Sequence, residues 1–198
     1  MRTVYTVDEL TGRARERALA KLAKWATGED WWEDVYAQAT EALAWLGFDT
    51  SPKLMQFSGF WSQGDGASFT GTWRADRLDL ARLYAERPMD KALHALAIQL
   101  QAFALEFPLA EATITRGGSR YSHAYTMTVD SYPQGDRDEA DVDGLGDSDP
   151  PIQPLIRGCA DWLYAQLEAE YECLTDEAQL IENAQANEYE GEEDGSIA

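Results

Sequence analysis

Charge is split along this chain, and the split decides which part can build a packed core. Residues 1–135 hold 17 acidic and 14 basic side chains, a net of about −3. Residues 136–198 hold 19 acidic side chains against Arg137 and Arg157, a net of about −17. A dense run of like charge resists collapse, so the nearly neutral first two thirds are expected to carry most of the fold. With 44% hydrophobic residues and seven Trp, nine Tyr and six Phe, the 198 residues suffice for one domain with a real core and an acidic annex.

The same charge bounds the partners. A net of −20 repels bare nucleic acid, whose phosphates need Lys and Arg to replace counterions, and it repels anionic membrane surfaces. It favours basic partners, among them proteins that grip nucleic acid, although an acidic surface also serves solubility alone. The only cysteines, Cys159 and Cys173, fall in a predicted helical region. A mutual disulfide is not expected there, and neither thiol has partners at metal-ligand spacing. Met1–Leu10 lacks a basic start followed by an apolar run, and no apolar stretch reaches membrane-spanning length. The expectation is a reduced, soluble, cytoplasmic protein with no metal and no cofactor.

Periodicity orders the elements. Thr3–Val7 reads as a short strand, and Asp8 as a cap for a helix carrying Leu10, Ala14, Ala18, Leu22 and Trp25. Arg13, Arg15, Arg17, Lys21 and Lys24 interleave with that stripe and read as a solvated face. A second helix opens at Asp30, runs through Val35, Ala39, Leu43 and Leu46, and takes Gly47 as its C-cap. Residues 53–60 and 67–73 read as two strands joined by a glycine-rich loop. A short helix is predicted over 76–85 and a longer one from Met89 to Ala104, stopped near Pro108. Strands at 112–116 and 121–132 flank a Gly117-Gly118-Ser119 turn. The acidic, glycine- and proline-rich residues 133–151 read as a flexible linker. Helical period resumes from Ile152, Thr175 begins a last helix, and the acidic tail 188–198 is expected to fray. Strands grouped in hairpins, without βαβ alternation, predict an α+β fold. Its small antiparallel sheet has about four to five strands, amphipathic helices on one face and a C-terminal helical segment. The expected organisation is a body over 1–132, the linker, helices over 152–187 packing on the body, and the tail.

The segment Phe57–Phe69 (FSGFWSQGDGASF) alternates large aromatics with small or polar residues. As a strand it would put Phe57, Gly59 and Trp61 on one face, and Ser58, Phe60 and Ser62 on the other. Gln63 and Asp65 between glycines would converge with backbone amides on a small ligand; equally, the glycines would serve turn geometry and the aromatics the core. His123, after Arg120 and Tyr121, would form an acid–base couple with Asp65 or be an ordinary structural histidine. No nucleophile elbow, phosphate-cradling loop or zinc spacing is present.

These residues carry a resemblance. The stretch Phe57–Gly71, the Arg120-Tyr121-Ser122-His123 run, Trp162–Tyr171 and the Thr175–Glu190 tail resemble an uncharacterised family of small phage-, prophage- and plasmid-encoded proteins, some loosely labelled antitoxin-like. The resemblance implies a mobile-element origin and no particular activity.

Two functions follow as expectations. The first is a non-catalytic anti-defence or antitoxin-type inhibitor of a basic host protein that handles nucleic acid. Its acidic face, at Asp136, Asp138, Glu139, Asp141, Asp143, Glu168, Glu170, Glu172, Asp176 and Glu177, would act as a DNA mimic. The second is a nucleotide-binding or sequestering protein with a pocket at Trp61, Gln63, Asp65, Arg120, Tyr121 and His123, using aromatic stacking and an Arg–phosphate contact. An enzyme built on Asp65 and His123 ranks third, and no catalytic residue is assigned.

Overall fold

The computed structural model describes residues 5–28, 30–118, 121–132 and 151–197. In chain order the helices are α1 (Gly12–Ala26), α2 (Glu33–Trp45), α3 (Leu80–Glu86), α4 (Lys91–Glu106), α5 (Gln153–Thr175) and α6 (Glu177–Ala186). The strands are β1 (Leu46–Asp49), β2 (Met55–Phe57), β3 (Ala67–Phe69), β4 (Gly71–Leu78), β5 (Glu111–Arg116) and β6 (Met127–Tyr132). The fold is α+β. All strand pairs are antiparallel, in a four-stranded sheet of order β1-β4-β5-β6 and a two-stranded β2-β3 sheet. The chain forms two compact units, Asp34–Gln166 and a second made of Met1–Glu33 with Leu167–Ala198. Their boundaries fall at the start of α2 and inside α5. Residues 133–150 of the expected linker lie outside the described residues, and Pro151 belongs to the turn that leads into α5.

In the unit Asp34–Gln166 the four-stranded sheet is one-sided. Trp73, Ala75, Ala112, Ile114, Met127 and Val129 are buried, whereas Thr72, Thr113, Thr115, Thr128 and Asp130 face solvent. Trp73 centres this core. Its indole N–H donates to the Leu46 carbonyl at 2.8 Å, and its ring lies 5.9 Å from that of Phe103 on α4. The junction of α2 and β1 departs from the sequence expectation. Leu46 starts a strand, and Gly47 is no C-cap: it sits within β1 at φ 89°, where a Cβ would lie 2.6 Å from the Arg74 carbonyl oxygen. β4 extends to Leu78, so the helix expected from 76 begins only at Leu80, capped by Asp79 accepting from the Arg82 amide. Asp90 caps α4 through the Leu93 amide at 2.9 Å, and its second oxygen accepts from the Trp162 indole N–H of α5 at 2.9 Å. Met89 precedes that helix and is exposed.

In the other unit Ala18 and Leu22 of α1 pack with Leu180 and Ala184 of α6, and Val7, Leu10 and Ile197 complete the cluster. Asp8 does not cap α1. It lies in a 3-10 turn over Val7–Glu9 and accepts from the Gln185 side chain, while Thr11 occupies the cap position. Of the expected first strand, Thr3 and Val4 lie outside the described residues and Tyr5 makes one antiparallel bridge with Gly191. Thr175 ends α5, and Asp176 caps α6 by accepting the Gln179 amide at 3.1 Å. The tail does not fray as expected: Gly191 also bridges Ile197, which is 3% exposed. Arg17 donates to Asp194 at 2.9 Å, and the Lys21 ammonium donates to the Ile197 carbonyl. Ile197 in the core supplies apolar burial that the acidic composition conceals.

Both cysteines are free, fourteen residues apart on α5, which is about 21 Å of helix. Cys159 is fully buried, and burial, reinforced by the Asp161 charge, pushes its thiol well above the usual range; Cys173 is exposed. One thiol per native chain should therefore react with an alkylating reagent, the second only after denaturation. Mass spectrometry of the labelled peptides checks this; native Cys159 labelling at the Cys173 rate would contradict the packing.

Candidate functional site

β2 and β3 pair in the register Met55 with Phe69, Gln56 with Ser68 and Phe57 with Ala67. The strand ends at Phe57, so the alternation expected through Ser62 does not occur. Residues 58–66 form a loop with Gly59 at φ 89°, Trp61 at φ 65° and Gly64 at φ 91°. Three bonds hold its shape. The Ser58 amide donates to the Gly66 carbonyl at 3.1 Å, the Asp65 amide to the Ser62 carbonyl at 3.1 Å, and the Ser62 amide to Asp65 Oδ2 at 2.7 Å. Asp65 is thus a loop-closing acceptor.

Tyr121–His123 lies against this loop. A Cβ on Gly66 would stand 2.5 Å from the His123 Cβ, and one on Gly64 would stand 3.2 Å from the Tyr121 ring. The Ser58 hydroxyl lies 3.3 Å from the Gly64 carbonyl and 3.2 Å from that of Ser122, and it accepts the Ser122 amide at 3.2 Å. Beneath them runs a buried polar chain. Arg116 Nη1 donates to Ser68 Oγ at 3.2 Å, the Ser68 and Ser122 hydroxyls are 2.6 Å apart, and Ser122 Oγ donates to the Gln56 carbonyl at 3.4 Å. Ser68 and Ser122 are almost wholly buried. With Arg116 donating at one end and a carbonyl accepting at the other, the consistent assignment has Ser68 donating to Ser122.

Aromatic rings surround the loop. Phe60 stacks on Tyr164 of α5 at 5.5 Å and lies 5.7 Å from both Phe57 and Trp61. Phe57 meets Tyr36 edge-on at 6.5 Å; burial pushes the Tyr36 hydroxyl far above its usual range, opposed by the Arg116 charge. Trp61, Tyr121 and Tyr125 remain exposed, at 68%, 44% and 75%. The Arg157 guanidinium sits 4.8 Å from the centre of the Tyr125 ring, a cation–π contact.

The two sequence segments therefore meet, but not as an acid–base couple. Among the described residues no hydrogen bond joins Asp65 to His123. His123 Nδ1 accepts the Tyr125 amide at 3.2 Å. Its electrostatic neighbour is Asp161, whose carboxyl is raised by partial burial and lowered in part by His123. Gln63 is exposed, and Arg120 lies outside the described residues. The sequence did not point to Arg116, Arg157 or Asp161, which β5 and α5 bring in from a distance; Tyr125 lies two residues past His123, and Tyr164 lies within the Trp162–Tyr171 run. Ser58 and Ser68 stood within the motif, where their burial had no local signature.

Of the expected acidic face, Asp136, Asp138, Glu139, Asp141 and Asp143 lie outside the described residues. Glu168, Glu170 and Glu172 lie on α5, Glu170 and Glu168 partly exposed and Glu172 exposed. Asp176 is engaged as the α6 cap, and Glu177 accepts from Arg15 Nη2 at 2.7 Å.

Removing one partner of the serine pair leaves the other buried and short of a bond. Ser122→Ala should lose about 1–3 kcal/mol, and Ser68→Ala with Ser122→Ala less than the sum of the two. Urea unfolding of the four proteins checks this; strictly additive losses would mean that the hydroxyls do not interact.

No curated protein and no solved structure matches the chain. One family model does, over residues 31–177, an interval that contains the Phe57–Phe69 loop, Tyr121–His123 and the aromatic and arginine partners around them. The chain belongs to this family, a domain of unknown function designated DUF8835.

Proposed function

We propose that the chain is a non-catalytic accessory protein of a mobile element, and that it inhibits a basic host protein that handles nucleic acid or serves in defence. The acidic surface of the C-terminal part stands in for phosphates. One observation carries this: residues 167–198 hold eleven acids and no basic residue, and they are built into α5, α6 and a bridged tail. Carboxylates fixed on helices meet a partner with less ordering cost than carboxylates on a loose chain. Arg15 and Arg17 engage Glu177 and Asp194, while Glu172 and Glu182 are exposed to solvent.

The variant with Glu168, Glu170, Glu172 and Glu182 all changed to Gln tests it. The native chain should capture a nucleic-acid-binding protein that salt and duplex DNA displace. The variant should bind that protein roughly tenfold more weakly or worse. Capture insensitive to salt, or equal in the variant, refutes the mimicry.

A second function has its own supporting observation. Exposed Trp61 and Tyr121 and the Arg157–Tyr125 pair surround the place where the glycine-rich loop meets Tyr121–His123. Aromatic faces beside guanidinium suit a nucleotide. Nucleotides should then raise the melting temperature of the native chain and shift that of Trp61→Ala less. Equal shifts in both, or none in either, would remove this function.

A further inference from the structure

α4 has two apolar faces, and among the described residues one is covered and the other is exposed. Leu93, Ala97 and Leu100 are fully buried, and Phe103 packs on Trp73. Ala95, Ile98, Ala102 and Leu105 point to solvent, continued past the helix end by Leu109. Ile98 is 59% exposed, Leu105 77% and Leu109 60%. Their spacings of three, four, three and four residues are those of a seam along which one helix packs on another. A solvated helix face ordinarily carries charge. Among the exposed side chains of α4, only Lys91 at the first position and Glu106 at the last are charged. His94 is turned back, its Nε2 2.8 Å from the Arg87 carbonyl and its ring edge-on to Tyr84.

We infer that this face docks on the same face of a second copy of the chain, the two α4 helices running antiparallel about a twofold axis near Leu100. Under that symmetry Ile98 lies against Ala102 of the second copy, and Leu105 against its Ala95. Large meets small at each level, the pairing that fills a helix–helix seam without overpacking. The ends match as well. Lys91 comes level with Leu109 of the second copy, within one helical turn of its Glu106, so both charges find opposite partners. The face is neutral in sum on a chain of net charge −20. Like net charge pushes two copies apart over acidic surface and leaves this strip as a place where they can meet.

Charge also separates this inference from the acidic-partner function. Salt weakens capture of a basic protein, whereas it screens repulsion between two copies and strengthens an apolar contact. Sedimentation of the full chain reads the outcome. The mass should rise with concentration from 22.1 kDa toward twice that value, and more readily at high salt. Ile98→Asp and Leu105→Asp, at exposed positions and checked for native circular dichroism, should weaken association by roughly tenfold or more. Lys91→Glu should weaken it and Lys91→Glu with Glu106→Lys should restore it. A chain that stays at 22.1 kDa up to about 100 μM, in high salt as well as low, overturns the inference and leaves the face to another occupant. So does association that Ile98→Asp does not change.

Discussion

The contact at Gly66 governs the architecture of the motif. No side chain fits between this residue and His123, because even a methyl group would press into the His123 Cβ at 2.5 Å. Backbones that approach so closely can share hydroxyls, and Ser58, Ser68 and Ser122 exploit the distance. Ser58, Gly64, Gly66 and Ser68 are small where the second segment presses on them, whereas Gly59 is small for its positive φ within the loop. The large ones turn elsewhere: Phe57 to Tyr36, Phe69 to Phe48, Phe60 to Tyr164 of α5, and Trp61 largely to solvent. The odd alternation of aromatic and small residues is thus a record of two packing environments along one loop.

Charge is arranged by a second constraint. The acids from 167 onward have no basic neighbours in their own stretch, and the basic stripe of α1 has few acids in its own. Arg15 joins Glu177, Arg17 joins Asp194, and Lys21 reaches the Ile197 carbonyl. Exposed pairs of this kind are screened by water and contribute little, so they do not explain why the two ends associate. The apolar cluster of Leu22, Leu180, Ala184 and Ile197 does. The pairs set register and lower the cost of crowding acids; burial supplies the attraction.

Much of the fold was legible where one period ran without competition. The α4 stripe, stopped at Pro108, and the β5 alternation are examples; of the strand expected over 121–132 only Met127–Tyr132 forms, because Ala124–Thr126 make a 3-10 turn. Legibility failed where two periods overlap. Leu43 and Leu46 continue a helical stripe, but Leu46 and Phe48 also alternate as a strand, and the Trp73 indole bond to Leu46 decides in favour of the strand. It failed again where long-range burial overrides composition: the tail looks solvated, yet Ile197 is enclosed and Gly195 lies so close to Ala14 that a Cβ would be 2.1 Å from its carbonyl oxygen. Asp65 and His123 illustrate a third failure. Sequence can nominate residue types for chemistry, but Ser62 claims the one and Tyr125 the other through local bonds.

Trp61 stands apart from these compromises. Its backbone holds the left-handed conformation that Gly59 and Gly64 adopt freely in the same loop, and for a residue with a Cβ that conformation costs on the order of 1 kcal/mol or more. Burial does not offset the cost, since the side chain is 68% exposed. A glycine at this position would fold with less strain and less apolar surface in water. The loop is braced on both sides, by Asp65 on the Ser62 amide and by Phe60 against Tyr164, and the Phe60 ring also lies 5.7 Å from that of Trp61.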